Sequence, residues 1–324
     1  KRYAANQAWL EHANTFGLDS RILSATQLQD LVPEIKNQKR GALYTPSDAR
    51  AEPELATREI ARLAQSRGAV ILDQCAVRGV DIEAGKVAGV VTEQGRIKAS
   101  TVVCAGGAWS GYFCRHLDVR LPQLKVISSV MATAPTDFDM QQSLWSSGLG
   151  MRKRMDGGYN VAYGGSSDCE ITPDFLRYLP TFLPAYFKSK EVVNLRPGNR
   201  FFRELAWPSK WEFDQVTPFE KERALDPPPN EKLLGKAYAL LRETFPELGE
   251  IAITKKWAGM IDVTPDELPV ISSVDKVPGL FISSGFSGHG FGIGPGAGSV
   301  TAQIVTGDKP TVEISALSLD RFLR

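Results

Sequence analysis

The sequence is poor in the groups that most enzymes use for direct chemistry. It has three histidines, His12, His116 and His289, and none stands at ligand spacing from another histidine or a cysteine. That argues against a metal site. Its four cysteines, Cys75, Cys104, Cys114 and Cys169, form no C-x-x-C, and two of them, Cys75 and Cys104, lie in apolar runs where a small buried thiol is the ordinary reading. There is no G-x-S-x-G, so the usual marker of a hydrolase nucleophile is missing. Neither sign of charge dominates: 38 Lys and Arg face 37 Asp and Glu, which leaves nucleic acid and anionic membranes without support as partners. No apolar run reaches transmembrane length and no signal peptide is visible, so a cytoplasmic location is expected.

What the chain does have is an ordinary globular composition over 324 residues, 43% hydrophobic and 23% charged, enough for one large or two intertwined domains. Its densest feature runs from Gly285 to Gly298, with seven glycines in fourteen residues. An apolar run, Leu280 to Ser284, precedes it and reads as a buried strand; Val300 to Val305 follows and reads as a helix ending at Gly307. A strand, a turn almost without side chains and a helix N-terminus together offer free backbone N–H groups to a flat or anionic ligand. The alternative is a tight connection with glycines for geometry alone, but one turn does not need seven.

The pattern along the chain is mixed. Residues 3–17 and 24–31 read as helices, the second capped by Ser24 and closed by Pro33. A further helix carries Leu55, Ile60, Leu63 and Ala64 and stops at Gly68. Residues 69–72 then read as a buried strand, 77–82 and 86–92 as a hairpin turned at Glu83-Ala84-Gly85, and 97–104 as another strand. Residues 119–136 and 151–166, with a turn at Asp156-Gly157-Gly158, suggest antiparallel strands. The segment 170–250 alternates helical patterns with proline-rich breaks. Similar strand-turn-helix units before and after a different middle predict an α/β (α+β) fold: a discontinuous Rossmann-like domain interrupted by an antiparallel-sheet domain.

Two more segments stand out. Thr101 to Ser110 is a strand that exits through Gly106-Gly107 beside Trp109, which brings backbone near a ligand at the carboxyl edge of a sheet; alternatively it is a plain strand exit with a packed Trp. Trp257 to Ile271 contains Thr264-Pro265-Asp266, a turn in which the Asp bonds nearby backbone N–H groups. In this order and spacing the three segments resemble the D-amino-acid-oxidase-like (DAO) family of FAD-dependent oxidoreductases, a group that includes glycine and sarcosine oxidases and opine oxidase subunits. Gly41 to Gly68 also resembles the segment that precedes the family's adenine-contacting hairpin. The likeness is good over roughly residues 40–110 and 255–307 and looser between.

The resemblance implies a noncovalent FAD site. Val77 falls where the family's backbone meets the adenine, and Gly106, Gly107 and Trp109 where the chain passes the dinucleotide. Gly285, Phe286, Ser287, Gly288, His289, Gly290, Phe291, Gly292 and Ile293 match the loop facing the flavin's pyrimidine end. His289 would border the substrate, or else pack on the ring without chemistry; Met260 is the other candidate catalytic wall residue. The covalent cysteine of sarcosine oxidase would fall at Gly259, which excludes that linkage, and the carboxylate-binding arginine of glycine oxidases at Ile261. Arg152, Arg154, Arg200 or Arg203 are possible replacements, and Tyr163 and Trp145 further candidate walls. The family's opening G-x-G-x-x-G is missing; Gly292 to Ala297 matches it formally but lies past the flavin loop.

These features predict residues 40–118 and 255–324 as an FAD-binding domain incomplete at its N-terminus, and residues 1–39 and 119–254 as a substrate domain. The missing fingerprint is then expected on an N-terminal fragment or a partner subunit. The expected reaction is oxidation of the C–N bond of an amino acid or secondary amine to an imine, with an opine- or γ-glutamyl-amine-type substrate favoured by Ile261. No metal or nucleic-acid partner is expected. A non-catalytic subunit or remnant of such a flavoprotein is the competing reading, and an NAD-dependent dehydrogenase a weaker one.

Overall fold

The computed structural model describes residues 2–36, 41–146 and 148–322. It is a mixed α/β chain that divides into two compact units, one of Lys1–Arg67, Ser129–Gly165 and Pro229–Trp257, the other of Gly68–Ser128, Ser166–Pro228 and Ala258–Arg324. The boundary expected at residues 39/40 lies outside the described residues.

In the first unit, helices Arg2–Thr15 and Ala25–Leu31 match the sequence pattern, and the second begins with a capping box in which Ser24 and Gln27 exchange side-chain-to-backbone hydrogen bonds. Strands Leu144–Trp145, Gly150–Lys153 and Tyr159–Ala162 pair in antiparallel succession, and Val161 sits opposite Met131. On this sheet lies helix Glu231–Thr244, whose N-cap Asn230 accepts from the Lys232 and Leu233 N–H groups. Its spacing puts Leu234, Ala237 and Leu241 on one buried face, packed with Met131, Tyr159, Val161 and Phe245. The fully buried Tyr159 hydroxyl donates to Phe138 O at 2.8 Å and accepts from Met140 N at 3.0 Å, so its polar tip costs no unpaired group. Helix Pro53–Ser66 forms where expected, but its apolar stripe stays in solvent, with Leu55, Ile60 and Leu63 at 48, 65 and 52% exposure.

The second unit holds the hairpin Val77–Glu83 and Lys86–Thr92, turned through Ala84 and Gly85 at φ +49° and +78°, with Gly95–Lys98 as its third strand. The predicted strand over 97–104 is two strands. Residues 95–98 bond to the hairpin, Ala99 N still reaches Ala88 O, and Val102–Cys104 then changes partner to run parallel to Leu280–Ser284. Leu280–Ser284 also pairs antiparallel with Val270–Ser273. Packed against these strands are Val80, Cys114, Leu121, Val274 and Val277.

The strand expected at residues 69–72 does not form: Val70, Ile71 and Leu72 are 83, 46 and 53% exposed in an irregular segment. A strand exists only by pairing, and among the described residues none pairs with this one. The glycine run also differs from expectation, since the helix begins at Gly290 and extends to Thr306.

Elsewhere in the second unit, His116 stacks on Trp211 at 3.9 Å between ring centroids, and its Nδ1 is buried without a partner. Burial first, and then the Lys210 ammonium, holds its pKa below the usual 6.5. A base depressed in the folded state leaves stability intact above the unfolded pKa and loses it as the pH falls through the folded one. Stability should therefore decline as the pH is lowered below 6.5, and His116→Phe should flatten that decline; parallel Tm-against-pH curves for the two proteins would contradict this.

Candidate functional site

The second unit brings parts of all three sequence segments together. Strand Leu280–Ser284 leaves its sheet through Gly285 at φ +80°, continues through Ser287 at +53° and Gly288 at +85°, and enters helix Gly290–Thr306. Three left-handed residues in four, one of them a serine, hold only if the surroundings fix them. Strand Ile253–Val263 supplies the fixing: Asp262 O accepts from Ser287 N at 2.9 Å, and Asp262 Oδ2 accepts from Gly285 N at 2.6 Å. Thr264 N donates to Ser287 Oγ at 3.2 Å. Gly285 has no freedom to be anything larger, because a Cβ there would lie 2.5 Å from Thr264 Cγ2.

The turn at 105–107 joins the same construction. Gly107 adopts φ +53°, and its carbonyl accepts from Gln123 Nε2 at 3.1 Å. Gln123 Oε1 accepts from Gly111 N at 2.8 Å, which orients the amide, and Nε2 also reaches Asp262 Oδ2 at 3.2 Å. Ser284 Oγ lies 2.8 Å from Ser110 Oγ and 3.1 Å from Asp262 Oδ2. The turn and the loop are thus tied by a buried polar cluster of Ser110, Gln123 and Ser284 around one carboxylate.

The helix that follows the loop is bare. A Cβ built on Gly292, Gly294, Gly296 or Gly298 meets no atom outside its own turn within 4 Å. Glycine in a helix interior costs about 0.8–1 kcal/mol relative to alanine, and the contacts of the described residues give no return for four of them. Gly292 and Gly296 share one side of the helix and Gly294 and Gly298 the opposite side, and a flat group can approach the backbone on either, near the positive end of the helix dipole. His289 occupies the N-cap without closing it with its side chain, is exposed, and donates its N–H to Phe286 O at 2.9 Å. Phe291 and Ile293 are 54 and 44% exposed. These features fit a bound flavin.

The remaining predicted residues are placed as follows. Gly259 is exposed with open space beside it, and Met260 half-buried next to it on the same strand. Gly288 lies against Ile261. Val77 opens the hairpin, 36% exposed. Gly106 is exposed, but Trp109 is packed into an aromatic cluster, 5.2 Å from both Trp207 and Phe219 with the Lys125 ammonium over its ring. Gly290 differs from its neighbours: a Cβ there meets Phe286 at 3.0 Å, so its small size serves the loop itself. In the first unit Trp145 is 70% exposed, and Tyr163 is half-buried under the Lys236 ammonium.

All four candidate substrate arginines already hold carboxylates: Arg152 pairs with Glu52, Arg154 with Asp156, Arg200 with Glu170, Glu204 and Glu222, and Arg203 with Glu222. Among the described residues, no group of three or more His, Cys, Asp or Glu side chains is arranged to hold a metal, and no helix is long and apolar enough to cross a membrane. Gln123, Asp262 and Ser284 escaped the sequence reading. The available signal was Asp262 itself, a carboxylate between Ile261 and Val263 where the strand pattern is apolar.

Comparison with known proteins finds relatives over most of the chain. The family model described as "FAD dependent oxidoreductase" (DAO) matches residues 1–304. The structure of L-amino acid deaminase from Proteus myxofaciens, in complex with anthranilate, superposes with a TM-score of 0.92 at 31% identity, covering 98% of this chain and 72% of that one. L-amino acid deaminase from Proteus vulgaris gives 0.91 at 28%, over 98% and 74%. A D-amino acid dehydrogenase of Paramagnetospirillum magneticum is 24% identical over 297 residues, 92% of this chain and 58% of its own length. The chain thus spans about three fifths of the length of the curated relatives it matches.

The Gly285 environment makes a sharp test. Gly285→Ala should destabilise the protein by about 1–3 kcal/mol through positive φ and the clash. Adding Thr264→Ser, which removes the offending methyl and keeps the hydroxyl, should recover part of that loss. Strict additivity in urea melts would mean that the contact does not set the cost.

Proposed function

The chain belongs to the DAO family of FAD dependent oxidoreductases, and from that premise we propose that it oxidises the C–N bond of a small amino acid or secondary amine to an imine with noncovalently bound FAD. The flavin, when bound, accepts the hydride from the substrate carbon; water then hydrolyses the imine. The protein's part is to bind, orient and set charge. In this reading the dinucleotide role falls to residues 40–118 and 255–324 and the substrate role to residues 1–39 and 119–254. The loop 285–288 and the bare first half of helix Gly290–Thr306 receive the ring, with the helix N-terminus favouring negative charge on it. Val77, Gly106 and Gly107 line the remainder of the cofactor, while His289 and Met260 border the substrate. Gly259 has no sulfur with which to bond the flavin.

The observation that carries the reading is a helix weakened at four glycines where a Cβ would meet no atom of the described residues outside its own turn, Gly292 and Gly296 on one side of it. Strand Val102–Cys104 supports it from the other side of the turn. Among the described strands it has one neighbour, Leu280–Ser284, so its other edge is where a strand bearing the missing phosphate-binding fingerprint would add, from the same polypeptide or a partner. Ile261 leaves the usual carboxylate arginine unreplaced, and the four other candidates are occupied. That favours an opine- or γ-glutamyl-amine-type substrate over a free amino acid held by an arginine at that position.

Gly296→Ala separates folding from cofactor binding. It should stabilise the helix by roughly 0.5–1 kcal/mol and yet lower flavin occupancy at least tenfold, measured as flavin released on acid precipitation. Unchanged occupancy would sink the assignment. His289→Ala should slow reduction of the flavin by substrate in anaerobic stopped flow and leave the Kd for FAD as it was; an unaltered reduction rate would reduce His289 to packing.

A further inference from the structure

Asp262 does more than the loop requires. A carboxylate can only accept hydrogen bonds, and the single oxygen Oδ2 receives the Gly285 N–H at 2.6 Å and Gln123 Nε2 at 3.2 Å, with Ser284 Oγ at 3.1 Å. Gln123 in turn holds Gly107 O at 3.1 Å and Gly111 N at 2.8 Å, and it is itself 5% exposed. Each takes a positive φ at the point of attachment, Gly107 at the start of a 3-10 turn on one side and Gly285 in the loop on the other. The strands that lead into them are paired, Ile282 opposite Cys104, and beyond that pairing the polar cluster ties the two turns together. Gln123 also serves the buried start of helix Ser110–His116 through Gly111 N, while the apolar clusters of the unit lie on other residues.

We propose that Asp262, acting through Gln123, is a positioning residue that locks the 105–107 turn to the 285–288 loop and holds a negative charge behind the loop that faces the flavin, thereby setting the reduction potential of the bound cofactor. This rests on the flavin reading given above. The charge logic is simple. Reduction adds electron density to the flavin, which the helix N-terminus favours and a carboxylate behind the loop opposes. Asp262 thus tempers the pull of the helix and keeps the reduced flavin a ready electron donor. Its neutral isostere keeps the shape and loses that opposition.

The test uses the flavin-loaded protein and three variants: Asp262→Asn, Asp262→Ala, and Asp266→Asn as a control. Asp266 lies on the adjacent turn, pairs with Arg321 and has no bond to the cluster. The inference expects Asp262→Asn to raise the flavin midpoint potential and shift its visible absorbance bands, and Asp262→Ala to raise the Kd for FAD at least tenfold. Asp266→Asn should match wild type in all three. Amide hydrogen exchange without flavin supplies a readout independent of the cofactor: Asp262→Ala should accelerate exchange at both Gly285 and Gly111, the second of which it reaches only through Gln123. If wild-type protein binds no flavin, the functional reading fails and exchange alone decides the coupling. If wild type binds flavin and Asp262→Asn has the wild-type potential and spectrum, the inference is overturned. Faster exchange at Gly285 with Gly111 unmoved would also overturn it, because the two turns would then be held separately.

Discussion

The candidate site depends on the grip of one strand residue on one loop. Between residues 285 and 288 the backbone takes the left-handed region three times, and a polypeptide does not stay there unaided. Asp262 holds the loop at two points, through its carbonyl and its carboxylate, and Thr264 holds it at a third. Released from these bonds, the loop loses the conformation that carries strand Leu280–Ser284 into helix Gly290–Thr306. The N-cap position of His289 follows from that geometry.

The same economy explains why the site has so few reactive side chains. Where a cofactor carries the electrons, the polypeptide contributes shape, orientation and fixed dipoles. The chemistry-bearing groups near the loop are correspondingly sparse, an exposed histidine and a half-buried methionine, while its polar groups are spent on each other. Ser110, Gln123 and Ser284 are buried and bonded within one cluster. A buried, fully paired network of this kind rigidifies its surroundings.

Much of this was legible in the sequence, and the failures share a cause. Local signals were reliable: Ser24 gave the cap, Glu83-Ala84-Gly85 the hairpin turn, and the run before Gly285 the strand. The errors came where structure is decided by a distant partner. Val70, Ile71 and Leu72 have strand-forming side chains but, among the described residues, no strand beside them, and residues 97–104 change partners at the short polar stretch Ser100-Thr101, which the reading carried through as one strand. Trp109 could be read as ligand-facing or packed, and only the approach of Trp207 and Phe219, about a hundred residues further along, shows it to be packed. Gln123 and Asp262 are 139 positions apart and carry no shared motif, so their bond had no local signature.

The glycines of helix Gly290–Thr306 separate two explanations that the sequence leaves equal. Glycine is used where the backbone needs positive φ or where a neighbour leaves no room for a Cβ. Gly285 meets both conditions, and Gly290 is confined by Phe286. At Gly292, Gly296 and Gly298 neither holds, since the backbone is helical and the space beside each is open. Gly294 stands before Pro295, where a Cβ is disfavoured in a helix. Gly292 and Gly296 lie on one side of the helix, next to the loop that Asp262 holds, and in the proposed function that is the side on which a flat ring near the helix N-terminus would rest.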